Sequence, residues 1–172
     1  MNSKIERPSK DEYYLEIAKA VSRRSTCLRR RYGSVIVVND SIVSTGYNGT
    51  ARGVINCLDI GCIKDLLNLP HGSAYDYCPA VHAEENAVVN AARNGSKVVG
   101  GTLYIYGEDV RTGDIVEAAP CNRCKRILIN AGIERVIIKT AQNYKVVETK
   151  EWIKEDSENY ANMIKKVKAQ SL

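Results

Sequence analysis

The 172-residue sequence has no phenylalanine and one tryptophan, and takes its aromatic character from ten tyrosines. It has no apolar run approaching the roughly 20 residues that span a bilayer, so no membrane helix is expected. The opening MNSKIERPSKDEYY lacks the apolar stretch of a secretory signal; the expected setting is the reducing cytoplasm. Internal repeats, low-complexity blocks and dividing linkers are also missing, so residues 1–172 are expected to form a single domain, long enough to bury a sizeable core. No surface combining aromatic and basic residues is evident, which argues against a nucleic-acid partner on stacking grounds. The net charge of +5 is modest and favours anionic small ligands. Much of it sits in residues 23–31 and 165–168.

What the chain does have is chemistry at fixed spacing. His82-Ala83-Glu84 is followed by Pro120-Cys121-Asn122-Arg123-Cys124. Zinc takes nitrogen and thiolate donors in a tetrahedron, and a catalytic zinc keeps one position for water. His82, Cys121 and Cys124 supply three ligands, and Glu84 is a carboxylate close by that need not be one. Either half alone has an ordinary explanation, such as a redox pair, buried thiols or a structural histidine. Together, in this order and with Pro120, they match the H-x-E…P-C-x-x-C signature of zinc nucleobase deaminases.

The pattern around these motifs predicts alternating helices and strands. Ser9-x-x-Glu12 reads as a capping box, followed by Tyr14, Ile17, Ala18, Val21 and Leu28 at helical spacing. Residues 35–38 and 42–45 read as a hairpin turning at Asn39-Asp40. Residues 46–80 are loop-rich, with a short helix expected within 58–69. Helices are expected over 82–93 and 122–130, strands over 102–106, 134–139 and 144–147, and a polar C-terminal helix over about 150–168. The order predicts a three-layer α/β/α domain around a central mixed β-sheet, with both metal motifs opening helices.

On this pattern the chain resembles the cytidine deaminase superfamily and, within it, the deoxycytidylate (dCMP) deaminase family, over roughly residues 10–140. The resemblance rests on Arg24-Ser25-Thr26-Cys27, Ser44-Thr45-Gly46-Tyr47-Asn48-Gly49, His82-Ala83-Glu84-Glu85-Asn86-Ala87 and Ile129-Asn130-Ala131-Gly132-Ile133. It implies a cytidine-deaminase-like fold and zinc-dependent hydrolysis of dCMP to dUMP and ammonia, with Glu84 shuttling protons. It also implies that the Ala83 backbone meets the base and Asn48 the sugar hydroxyl, and that an aromatic near Tyr104 or Tyr106 contacts substrate. Arg24 is the candidate for the 5′-phosphate, since a guanidinium suits phosphate; Arg23, Arg30 and Arg31 are alternatives. A homo-oligomer, a hexamer, activated by dCTP and inhibited by dTTP follows from the same resemblance, with Arg52 placed to meet a triphosphate.

Four further cysteines, Cys27, Cys57, Cys62 and Cys78, precede the motif together with His71. This pool of five fits a second, structural zinc that fixes the loop-rich segment, as some relatives carry. Where many relatives have a histidine, this chain has Tyr75. It also inserts residues 107–119, GEDVRTGDIVEAA, expected to form a hairpin around Arg111-Thr112-Gly113-Asp114. The insert leaves room for a different substrate: dCTP, guanine or adenosine in RNA. A non-catalytic zinc-stabilised nucleotide sensor is the remaining alternative, and Glu84 argues against it, because a structural site has no need of that carboxylate.

Overall fold

Ser9 starts the first helix by the chemistry its spacing predicts. In the computed structural model, which describes residues 6–170, its hydroxyl accepts the Glu12 backbone N–H, while the Glu12 carboxylate accepts the Ser9 N–H. This capping box opens α1 (Lys10–Ser22), which ends before Leu28. β1 (Arg30–Val38) and β2 (Ser41–Tyr47) follow as the expected hairpin. Its turn residues, Asn39 and Asp40, have φ of 49° and 60°, the left-handed pair that two-residue hairpins require.

The loop-rich segment contains β3 (Gly49–Thr50), α2 (Cys57–Ile60), α3 (Ile63–Leu66) and β4 (Ala80–Val81). The single short helix expected over 58–69 is thus two one-turn helices. Gly61, at φ 96°, parts them in a conformation closed to most residues. α4 (Ala83–Arg93), β5 (Thr102–Asp109), α5 (Asn122–Asn130), β6 (Arg135–Lys139), β7 (Tyr144–Glu148) and α6 (Thr149–Gln170) complete the chain. β5 is longer than expected because the insert continues it: Arg30 and Arg31 pair with Asp109 and Glu108, which also lengthens β1. The insert then turns back, with Ile115 bridged to Glu108.

The main sheet runs β2-β1-β5-β6-β7. β5 and β6 are parallel and the other pairs antiparallel, so the sheet is mixed. Alternation along the strands divides the core between its two faces. Ile36, Leu103 and Ile105 pack with Ala87, Leu128 and Trp152 from α4, α5 and α6. Val35, Tyr104 and Tyr106 pack with Tyr14, Leu15 and Ala18 of α1. This is the three-layer α/β/α arrangement. Tyrosine fills the aromatic places that phenylalanine leaves vacant, and its hydroxyls find acceptors: Tyr14 donates to Asp40 and Tyr104 to Asp11, each at 2.9 Å.

Two glycines set how closely helices approach the sheet. A Cβ on Gly33 would lie 2.2 Å from the Ala18 carbonyl oxygen of α1, and one on Gly46 would lie 2.3 Å from both Ala83 O and Ala87 N of α4. Among the described residues no helix is long and apolar enough to cross a membrane.

Candidate metal and catalytic site

His82 and Cys121 occupy the N-cap positions of α4 and α5, and neither side chain caps its helix. An N-cap side chain normally accepts a backbone N–H of the first turn; here both turn toward each other instead. His82 Nδ1 lies 3.6 Å from Cys121 Sγ and 3.3 Å from Cys124 Sγ. Among the described residues these three form the one group of histidine, cysteine or acidic side chains whose ligand atoms all lie within 4.8 Å. A tetrahedral zinc with bonds of about 2.0–2.3 Å holds its donors roughly 3.5–3.8 Å apart, so the donor set fits zinc in type and spacing. A hydrogen bond from Cys124 holds the Cys121 thiol well below its ordinary range, toward the thiolate that zinc takes.

Glu84 follows in the first turn of α4 and is 5 % exposed. Burial raises its pKa above the ordinary carboxylate value, while its own backbone N–H and His82 act the other way. A carboxylate so tuned is suited to taking up and returning a proton. Its helix is fastened to the sheet by side chains. Ser34 Oγ donates to the Ala83 carbonyl (2.7 Å) and Ser44 Oγ to that of Ala87 (2.6 Å). In return Asn86 and Asn90 donate from α4 to the Tyr47 and Thr45 carbonyls of β2, at 2.7 and 2.8 Å.

His82, Glu84 and Cys121 line a cavity whose walls come from the β1 approach, the loop-rich segment and the returning insert at Ala118 and Ala119. Asn48 lines it too but is heavily engaged. Its Oδ1 accepts from Ser25 Oγ and Tyr32 N, both at 2.7 Å, and its Nδ2 donates to the Arg30 carbonyl at 2.9 Å. These bonds position Arg30 and Tyr32. Ala83 is fully buried, does not line the cavity, and has its carbonyl taken by Ser34. Arg24 is exposed just past α1 and also lies outside the cavity. Arg29 and Arg30, further along the same basic stretch, line it instead. Tyr104 and Tyr106 are excluded by strand parity: both face α1, while Ile105 between them lines the cavity. Arg52 is exposed and donates to Asn90 Oδ1 at 2.7 Å.

The aromatics that reach the site are Tyr32 and Tyr75. Tyr75 meets the His82 ring edge-on, with centroids 5.4 Å apart. Lys64 also lines the cavity and is 6 % exposed. Neither Tyr32 nor Lys64 has a sequence signal for the site, since tyrosines are frequent in this chain and lysines are normally exposed. Cys27, Cys57, Cys62, Cys78 and His71 all line the cavity, but among the described residues no three of their ligand atoms lie within 4.8 Å of one another as those of His82, Cys121 and Cys124 do. The four cysteines are free thiols, and the Cys57 thiol is raised by burial and then by the neighbouring Cys27, Cys62 and Cys78. His71 lies apart from them in its bonding, with Nε2 3.4 Å from the Tyr32 hydroxyl. Partial desolvation, then Arg30, Arg29 and Lys64, depress its pKa.

A mixed sheet between two helical layers, with two helix starts converging on a His-Cys-Cys centre beside a buried glutamate, defines a cytidine-deaminase-like zinc domain. The chain belongs to the family described as the cytidine and deoxycytidylate deaminase zinc-binding region, which it matches over residues 8–140. It is 36% identical over 137 residues to the deoxycytidylate deaminase of Schizosaccharomyces pombe, a match covering 80% of this chain and 39% of that protein. It is 34% identical over 138 residues to the deoxycytidylate deaminase of Mycobacterium phage D29, covering 77% and 96% respectively. The chain thus spans about two fifths of the length of its two yeast relatives, 39% and 40%. Among solved structures, the dCMP deaminase of cyanophage S-TIM5 in complex with dCMP and dUMP superimposes with a TM-score of 0.55 at 27% identity, covering 76% of this chain and 81% of that one.

Proposed function

We propose that this chain hydrolyses dCMP to dUMP, releasing ammonia. The observation that carries this reading is Glu84, buried beside the His82–Cys121–Cys124 donor set at the base of a cavity wide enough to be lined from three segments. The likeness to relatives named for this reaction supports the substrate. Zinc held by His82, Cys121 and Cys124 supplies Lewis acidity that brings the acidity of a water molecule toward neutral pH. Glu84 takes the proton of that water and delivers it to N3 of the pyrimidine, which makes C4 more electrophilic. The oxygen adds at C4; Glu84 then takes the proton still carried by that oxygen and delivers it to the N4 amine as the C4–N4 bond breaks, so that ammonia leaves and the C4 carbonyl of dUMP forms. Tyr75 packs against the His82 ring at a 61° interplanar angle and so helps hold its orientation.

The test is ammonia release from zinc-replete protein offered dCMP, dCTP, CMP, deoxycytidine, guanine and single-stranded DNA. Turnover is expected on dCMP well above the others; preference for guanine or DNA would overturn the reading. On the motif resemblance alone we further propose a cytoplasmic homo-oligomer, a hexamer, with dCTP as activator and dTTP as inhibitor; light scattering and dCMP saturation curves with and without dCTP test it. A second zinc, structural, is part of the proposal. Its ligands are drawn from Cys27, Cys57, Cys62 and Cys78, which line the cavity from the stretch after α1, the start of α2, the N-cap of α3 and the stretch before β4, while His71 is engaged with Tyr32. Elemental analysis is expected to give two zinc ions per chain, falling to one when Cys57 and Cys62 are both changed to serine. One zinc in the unaltered protein would leave these residues as plain thiols.

A further inference from the structure

α6 starts inside the molecule and ends outside it. Thr149 and Trp152, in its first turn, are buried. The Thr149 hydroxyl donates to the Ile133 carbonyl at 2.7 Å, and the Lys125 ammonium of α5 lies 5.2 Å from the centre of the Trp152 ring. Asp156, one turn on, reaches Arg126 of α5 at 3.6 Å. From residue 157 to residue 170 every position is exposed. The spacing that turns Thr149, Trp152 and Asp156 toward the domain continues through Tyr160 and Met163, with Ile164 beside them. These three are 67, 62 and 39 % exposed. A stretch of helix this short is marginal in water by itself, and helices in proteins draw most of their stability from packing an apolar face. Tyr160, Met163 and Ile164 form such a face, and the domain leaves it open.

Charge decides what covers it. On the N-terminal side of the face stand Glu155, Asp156 and Glu158; on its C-terminal side stand Lys165, Lys166 and Lys168. Among the described residues the one ion pair made by these six is that of Asp156 with Arg126. No acid lies three or four residues from any of the three lysines, so the two blocks do not neutralise each other within one helix. A second α6 laid parallel would set acid on acid and base on base. Laid antiparallel and centred near Asn162, it sets apolar residues on apolar ones and each acidic block against a basic one, twice by symmetry. A membrane surface fits less well, because anionic headgroups repel the acidic block. α6 also lies outside residues 8–140, the part matched to the family.

We infer that α6 is an interaction surface for a second copy of this chain: two α6 helices pair antiparallel through Tyr160, Met163 and Ile164, with blocks 155–158 and 165–168 in opposition. Residues 157–168 give an overlap of about 18 Å at the helical rise, and the two domains sit at its opposite ends. The oligomer proposed above names no surface. This contact is independent of it, and of whether the chain deaminates dCMP.

The experiment is zero-length carbodiimide cross-linking of the zinc-loaded full chain, mixed from isotopically light and heavy protein so that links between copies are told from links within one. Lys166 and Lys168 are expected to join acids of block 155–158 in another copy. Within one helix Lys168 and Glu158 stand about 15 Å apart along the axis, too far for such a link. Tyr160→Ser with Ile164→Ser is expected to cut the yield at least about tenfold. Both side chains are exposed, so the domain still folds, and every cross-linking group is retained. A chain with Lys165→Glu, Lys166→Glu and Lys168→Glu, mixed with one carrying Glu155→Lys and Glu158→Lys, is expected to form links running from one variant to the other. Absence of links between copies of the unaltered protein overturns the pairing, as does a yield that the two serines leave unchanged. Links from these lysines to Asp59 or Asp65 of another copy would seat α6 on the loop-rich segment and overturn it too. Retention on phosphatidylserine vesicles, with no links in solution, would give the face to a membrane instead.

Discussion

Glu84→Gln is expected to reduce deamination of dCMP by about 10²–10⁴-fold or more, the usual span for removing a positioned acid–base group, while the zinc content of the protein is unchanged. Glutamine keeps the shape of the side chain in a site where Glu84 is 5 % exposed, so the packing of the first turn of α4 survives. What is lost is the capacity to take a proton from water and return it to the amine. Because the metal donors are His82, Cys121 and Cys124, the variant should still bind one zinc at this centre by elemental analysis. Loss of that zinc would make Glu84 a ligand, and near-normal turnover would make it a bystander.

The second large effect is expected far from the chemistry in sequence terms, at Gly46→Ala. The added methyl would stand 2.3 Å from Ala83 O and 2.3 Å from Ala87 N, and both are backbone atoms of α4 that cannot rotate away. The helix has to lift from β2. Overpacking of this kind costs about 1–3 kcal/mol, and it also strains the Ser34 and Ser44 bonds to the same two residues. Since α4 begins at the metal ligand and carries Glu84 in its first turn, a displacement of about 1 Å is enough for a loss of roughly 10²-fold in turnover. Urea unfolding together with kcat is the measurement. A variant with unaltered midpoint and kcat would show that α4 has slack that this geometry denies it.

The metal donors and their flanking glutamate were legible because chemistry fixes both residue type and spacing. The capping box at Ser9 and the Asn39-Asp40 turn were legible for a similar reason: each is a local device whose partners lie within a few residues. The failures share a different character. Whether Tyr104 or Ile105 faces the cavity depends on which side of β5 α1 covers, a matter of parity that the run Leu-Tyr-Ile-Tyr leaves open because all four residues are apolar enough for a core. The insert turns back as the hairpin its Arg111-Thr112-Gly113-Asp114 turn predicts; what carries no signal is that it also lengthens β5, and that pairing with it draws Arg30 and Arg31 into β1. Among Arg24 and its alternatives Arg23, Arg30 and Arg31, the cavity is lined by Arg30, while Arg24 is exposed just past α1; a run of arginines gives no periodicity that tells them apart. Lys64 carried no signal at all, because its burial is produced by Ser73 and Tyr75 from a neighbouring loop.

The two uncapped helix starts also bear on how the molecule holds together. α4 is stitched to β2 and β1 by four side-chain bonds, whereas the first turn of α5 is tied to α4 chiefly through Arg123 and Glu85, at 2.8 Å. An ion shared by His82 and the two cysteines is therefore a clasp between a fixed jaw and a looser one, closing a chain loop from residue 82 to residue 121. Stripping the ion then acts on architecture as well as on reactivity: the jaw bearing Glu84 keeps its seat, and the one bearing Cys121 and Cys124 is released.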